Sequence, residues 1–285
     1  RLRLLQEALG WKNKNNYTYK EWVRLLRMKF LFLGFLATLV FILILFAIYF
    51  TGELNSKSDS FIICKKAENE LDFVEGIFKN NDYSEALKKY EKVSEEFTST
   101  DCPSLFARLR KRQGDCLSNI SELNEVEYEN NYKNAIQYYK DALKIYHKDI
   151  YPNEYARTQN NLGLVYKKFS KFRDAPENLQ QALDCFGNAL KYFTIDSFPE
   201  VFASISSNFG ATYTNLAEIR DKSTNLKEAL KHFQNALLVI KVEENPEDYS
   251  MIQMNCGGAY LQLSTIVDSV INIRKSIAAF NKSLS

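Results

Sequence analysis

The sequence predicts an all-α protein, an α-solenoid of helix hairpins preceded by a single transmembrane helix, and three observations carry that prediction. Prolines, glycines, alanines and aromatic residues recur at a spacing of 47 along the greater part of the chain. Residues 30–50 form a run of 21 without a charge. Gly (10) and Pro (5) are scarce among 285 residues, too few for the many tight turns of an all-β sandwich or barrel.

Composition narrows function by exclusion. With 46% hydrophobic and 25% charged residues the chain can fill a core, so wholesale disorder is out. Lys+Arg 37 nearly balances Asp+Glu 35, and a net charge of +2 argues against a nucleic-acid partner. Two histidines and five scattered cysteines leave little material for a metal site, so neither metal nor cofactor is expected. Gly-rich phosphate loops, HExxH, paired CxxC and a serine nucleophile elbow are all missing, so no catalytic residue and no enzyme is expected. His147 reads as the end of a helix, and His232, in the column of Cys185, as a packing position. Cys102 and Cys116 flank a predicted helix that separates them by ~20 Å, beyond the ~7 Å between α-carbons that a disulfide spans. Mostly free thiols are therefore expected.

The elements follow in order. Residues 1–29 carry apolar Leu2, Leu4, Leu5, Ala8 and Leu9, then a polar break (KNKNN), and read as a short basic amphipathic helix, a loop and a lead-in helix. Residues 30–50 would cover ~31 Å as a helix, the thickness of a bilayer core, and contact membrane lipid. Arg1, Arg3, Lys12, Lys14, Lys20, Arg24, Arg27 and Lys29 precede this span, whereas the residues just after it offer Lys57. Positive flanks stay inside, so the N-terminus is expected in the cytoplasm (or matrix) and the rest outside it (or in the intermembrane space). Trp22, Tyr49 and Phe50 stand where interfacial aromatics belong. Position 1 is not Met, as expected of a processed chain or of an interior part of a longer one. Residues 51–59 read as a linker and 60–285 as the repeat domain.

Pro152, Pro199 and Pro246 are 47 apart, as are Gly163, Gly210 and Gly257; Pro103 and Gly114 lead them by 49. The same step carries Ala135 to Ala182, Ala229 and Ser276, Tyr139 to Phe186, Phe233 and Phe280, and Ala142 to Ala189, Ala236 and Ser283. Each unit reads as two helices. Tyr155, Gln159, Leu162, Gly163 and Tyr166 share one face of the first; Leu179, Ala182, Leu183, Phe186, Ala189 and Leu190 share one face of the second. Proline opens the first helix, where a missing N–H costs nothing. Asn131, Asn178, Asn225 and Asn272 are expected to cap the second, with Gln181 and Glu228 completing capping boxes. Asp174, Asp221 and Asp268, four residues earlier, read as loop-ordering turn residues. Five helix pairs result, near 60–102, 103–151, 152–198, 199–245 and 246–285.

The Gly-x-x-Tyr of the first helix and the Ala, aromatic, Ala of the second resemble the tetratricopeptide repeat (TPR) family. The matches are Gly163, Tyr166, Ala182, Phe186 and Ala189, then Gly210, Tyr213, Ala229, Phe233 and Ala236. The NLGLVY run at 161–166 is similar to the longer units of kinesin light chain. The resemblance implies a right-handed TPR-like solenoid that binds other proteins. The unit here exceeds the family's usual length, and the surplus is expected in a longer loop inside each hairpin and between units. A first, degenerate unit (NNDYSEALKKYEKV) keeps a short loop.

The resemblance also implies a concave groove. Its expected lining is Arg108, Lys111, Asp115 and Ser118, then Arg157, Asn160, Leu164 and Lys167, then Ser204, Ser207, Ala211 and Thr214, then Met251, Met254, Gly258 and Leu261. Asn161, Asn208 and Asn255 stand in the column where related arrays hold an extended backbone, or else they satisfy neighbouring helix backbone. The groove thus runs from basic to apolar, which suits an acidic or extended protein segment. Ile273, Ile277, Phe280 and Leu284 on the last helix form an open end, to be covered by a partner, a second copy or further residues. The functional expectation is a membrane-anchored scaffold, an accessory subunit of a membrane-associated complex. Alternatives are an assembly or quality-control factor that grips extended segments, and a sensory or effector protein whose catalytic domain lies elsewhere.

Overall fold

The structure, a computed structural model, describes residues 19–121 and 124–284. The amphipathic helix expected within the first eighteen residues lies outside the described residues. Among the described residues ten helices follow one another and there is no strand: α1 (Tyr19–Lys79), α2 (Tyr83–Val93), α3 (Pro103–Asn119), α4 (Glu125–Leu143), α5 (Pro152–Phe169), α6 (Ala175–Leu190), α7 (Pro199–Ala217), α8 (Lys222–Val239), α9 (Pro246–Ser264) and α10 (Ser269–Ser283). The chain divides into two compact units, residues 1–61 and 62–285.

In the first unit, Val23–Tyr49 is a stretch of 27 residues long and apolar enough to cross a membrane, with none of it buried in the protein. The linker expected over 51–59 is helical instead, because α1 continues through it to Lys79.

In the second unit each helix packs on the next: α3 on α4, α5 on α6, α7 on α8 and α9 on α10 within pairs, and α2 on α3, α4 on α5, α6 on α7 and α8 on α9 between them. Successive first helices also touch, α3 to α5, α5 to α7 and α7 to α9. The end of α1 pairs with α2 through Ala67, Leu71 and Val74 against Ala86, Tyr90 and Val93. Glycine sets how closely each pair closes. A Cβ on Gly114, Gly163, Gly210 or Gly257 would stand 2.9, 2.8, 2.7 or 2.6 Å from a ring carbon of Tyr139, Phe186, Phe233 or Phe280. The aromatic column therefore fills the hairpin's own interior, and the residues that fill the space between units are others: Leu162, Tyr166 and Phe169 of α5 join Tyr132 and Ile136 of α4.

Prolines do start α3, α5, α7 and α9. The second helices begin earlier than expected. Asp174, Asp221 and Asp268 occupy their N-cap positions in the left-handed region, φ 40°, 46° and 47°, without accepting a capping hydrogen bond. Asn178, Asn225 and Asn272 lie a turn inside the helix, buried, and their Nδ2 groups donate back to the carbonyls of Arg173, Arg220 and Val267 at 2.7, 2.8 and 2.6 Å. They anchor the turn as donors, so the capping boxes expected with Gln181 and Glu228 do not form. Asn131 is mid-helix in α4; the capping box there is Asn124 with Glu127, at 3.0 Å in both directions. The loop inside each hairpin is accordingly short, Ser170 to Asp174 between α5 and α6, and the long period is taken up by longer helices and the connections between units.

Three of the five cysteines are free, in line with the expectation of mostly free thiols, and the other two form a disulfide that the sequence did not predict. Cys64 bonds Cys102, with α-carbons 5.7 Å apart, and ties the end of α1 to the start of α3 around the first hairpin. Cys116, Cys185 and Cys256 are free and buried. A cross-link over a sequence separation of 38 stabilises by about 4 kcal/mol in the chain-entropy account.

Candidate functional site

The N-terminal helix pairs hold a charged network. Arg108 Nη2 donates to Asp72 Oδ1 at 2.6 Å, and Arg112 Nε donates to Glu75 Oε1 at 2.7 Å. Asp115, buried, is the hub: Lys111 Nζ reaches its Oδ2 at 3.0 Å and Arg112 Nη1 at 3.2 Å. Tyr139 Oη and Asn161 Nδ2 donate to its Oδ1 at 2.7 and 2.8 Å. Burial, together with the Asp115 charge, raises the Tyr139 phenol well above its ordinary value, so it stays a donor. A buried carboxylate is tolerated when cations and donors surround it, and here four groups from α3, α4 and α5 do so. The arrangement explains the basic run 107–113: Arg108, Lys111 and Arg112 are turned inward onto carboxylates and are spoken for.

Three other cations are not. Arg157 is exposed, its guanidinium 5.6 Å from the centre of the Phe193 ring. Lys167 Nζ donates to Asn208 Oδ1 at 3.1 Å, and Lys168 Nζ to the Ser118 carbonyl at 2.9 Å. Neither lysine has a carboxylate within ion-pair distance among the described residues. Burial lowers both pKa values, and Lys171 adds repulsion. A half-buried ammonium held only by neutral oxygens is positioned to receive an anion.

Two hollows gather several of the expected residues. One of about 260 Å³ is lined by Lys111, Asp115, Asn161, Leu164 and Lys168 among others. A second, of about 270 Å³ between α7 and α9, brings together Ser204, Ser207, Asn208 and Met251, with Glu200 and Asp248 at its edge. This second hollow carries polar and charged side chains beside Met251. Asn161 and Asn208 are engaged within the protein, Asn161 as above and Asn208 with Lys167 and the Ser204 carbonyl; Asn255 is half-buried. Asn160 leaves its Oδ1 buried and without a donor among the described residues. At the open end Ile273, Ile277 and Leu284 are exposed, but the Phe280 ring lies under Gly257 of its own pair. Sequence reasoning missed Asp72, Glu75 and Tyr139 as partners of the basic run, because contacts between units leave no local signature. Among the described residues no group of three or more His, Cys, Asp or Glu side chains could hold a metal ion.

No family model and no curated protein matches this chain. Among solved structures, the C-terminal part of a TPR repeat-containing protein from Cytophaga hutchinsonii is similar at 14% identity, over 75% of this chain and 94% of that one, with a TM-score of 0.27. A likeness at that score bears no weight, and the repeat architecture rests on the chain's own helix pairs and columns.

Proposed function

We propose that this chain is a membrane-anchored scaffold whose groove holds a segment of another protein, as an accessory subunit of a membrane-associated complex. The observation that carries the reading is the pair of hollows on successive first helices, one of them lined by Lys168, with Arg157 and Lys167 on the same helix α5 and likewise unpaired by carboxylate among the described residues. An acidic or extended segment suits them; Arg108 and Lys111, already neutralised, hold the wall in place. The apolar stretch of α1 is the anchor, and the repeat domain lies outside the cytoplasm. The positive flank and the Cys64–Cys102 disulfide support that side independently, since disulfides persist where the surroundings oxidise.

The test is purification from membranes in mild detergent, with mass spectrometry of what co-elutes at equal stoichiometry. Reversing Arg157, Lys167 and Lys168 to Glu is expected to weaken that association about tenfold or more, and raised salt to weaken the native one. Association unchanged by the triple reversal, with helicity intact, sinks the groove reading. A co-eluting set that is salt-labile and substoichiometric would favour a factor that grips segments transiently.

A further inference from the structure

The repeat lets one junction between first helices be compared with the next. Where α3 meets α5, a hollow of about 390 Å³ is lined by Arg108 and Lys111 on one helix and Glu154 on the other, so the chain supplies both signs of charge. One period on, where α5 meets α7, the same columns read Arg157 and Asn160 against Val201: a cation is kept and the acid is lost. A further period on, where α7 meets α9, they read Ser204 and Ser207 against Asp248. There the acid is kept and both cations are gone, while Glu200 adds a second carboxylate to the hollow.

Glu200 and Asp248 are exposed, and neither has a cation within ion-pair distance among the described residues. Lys167 reaches the wall of this hollow at Asn208 Oδ1, but Asn208 stands eight residues along α7 from Glu200, ~12 Å away. Below the carboxylates, Ala203, Ile240 and Ile252 form a buried apolar floor, and Met251 is 48% exposed beside it. An apolar floor under an acidic edge matches a side chain with an aliphatic stem and a cationic head. We propose that the hollow between α7 and α9 receives an arginine or lysine side chain of the protein segment held in the groove. Touching helices lie ~8–10 Å apart and an extended chain advances ~3.3 Å per residue. An acidic residue facing Arg157 and the basic residue entering the hollow therefore stand about three residues apart in that segment. The site presupposes the segment proposed above, yet the two fail separately: reversing the cations of α5 probes the segment, and the signal described next reads the hollow alone.

Methionine supplies the readout, because the chain has three: Met251 in the hollow, Met254 a turn further on, and Met28 in the apolar stretch of α1. The full chain in detergent at low salt, with carbon-13 in its methionine methyls, is titrated with N-acetyl-arginine methylamide. The Met251 signal is expected to shift saturably while Met28 stays still. N-acetyl-citrulline methylamide, nearly the same shape without the charge, should bind at least about tenfold more weakly. Glu200→Gln with Asp248→Asn should weaken the arginine probe about tenfold. Ser204→Arg, which restores the cation of the column, should abolish its binding; circular dichroism checks that the helices survive. Equal binding of the arginine and citrulline probes, no saturable shift at Met251, or unchanged binding in either variant overturns the proposal.

Discussion

His232 is a residue at which this solenoid is expected to respond to pH. Its ring stacks on Phe209 with centroids 4.0 Å apart and lies 5.7 Å from Tyr213, and its Nδ1 is buried without a partner among the described residues. Burial lowers its pKa from the ordinary 6.5, with Glu228 opposing the shift and Lys231 adding to it. The unfolded chain then binds the proton more readily than the folded one. Stability contributed by the neutral ring is full above pH 6.5 and declines as pH falls below it. His232→Phe keeps the stack and removes the proton site. Thermal unfolding of the two proteins should diverge by a few degrees between pH 7 and pH 5, with the native chain losing more; parallel curves would show that the ring is not the group responsible. Nothing in the sequence marks this site beyond a shared column with Cys185, since the stack is made by residues of two helices.

At the scale of the element, the start of each second helix is set by an aspartate in the left-handed region and an asparagine that reaches back to the turn. Asp221, at φ 46°, holds a conformation that costs a residue with a Cβ about 1–2 kcal/mol and glycine almost nothing. Asp221→Gly is expected to match or slightly exceed native stability, and Asp221→Ala to lose about 1 kcal/mol, read from chemical denaturation. Equal stability of the two variants would contradict the left-handed turn. These two columns were visible in the sequence as recurrences, but their roles were only half legible. An asparagine amide both donates and accepts, and its position relative to the first helical residue decides which. The proline column was read correctly because it answers a single local demand, a helix start; the glycine column was visible as a recurrence, but the ring that each glycine makes room for lies on another helix and shows only in the structure.

Across the whole molecule the period shows in the sequence, and what crosses between periods does not. Arg108 finds Asp72 at a separation of 36, and Asn161 finds Asp115 at 46. Cys64 finds Cys102 at 38. Such pairs depend on how one hairpin seats on the next. The thiols test the seating directly. Burial pushes the Cys116 and Cys185 thiols up to about 12 and Cys256 to about 11, so little thiolate exists near neutral pH. Alkylation of the native chain should be negligible, followed by three additions after denaturation and five once the disulfide is reduced. Five additions without reductant would remove both the bridge and its support for an oxidising compartment.

The bridge also makes the array asymmetric. In a stack where each pair holds only its neighbours, opening begins at a free end and moves inward. Cys64–Cys102 fastens one end covalently, while α10 at the other has the packing of one neighbour and a bare apolar side. The solenoid behaves as a zipper sewn shut beside its first hairpin.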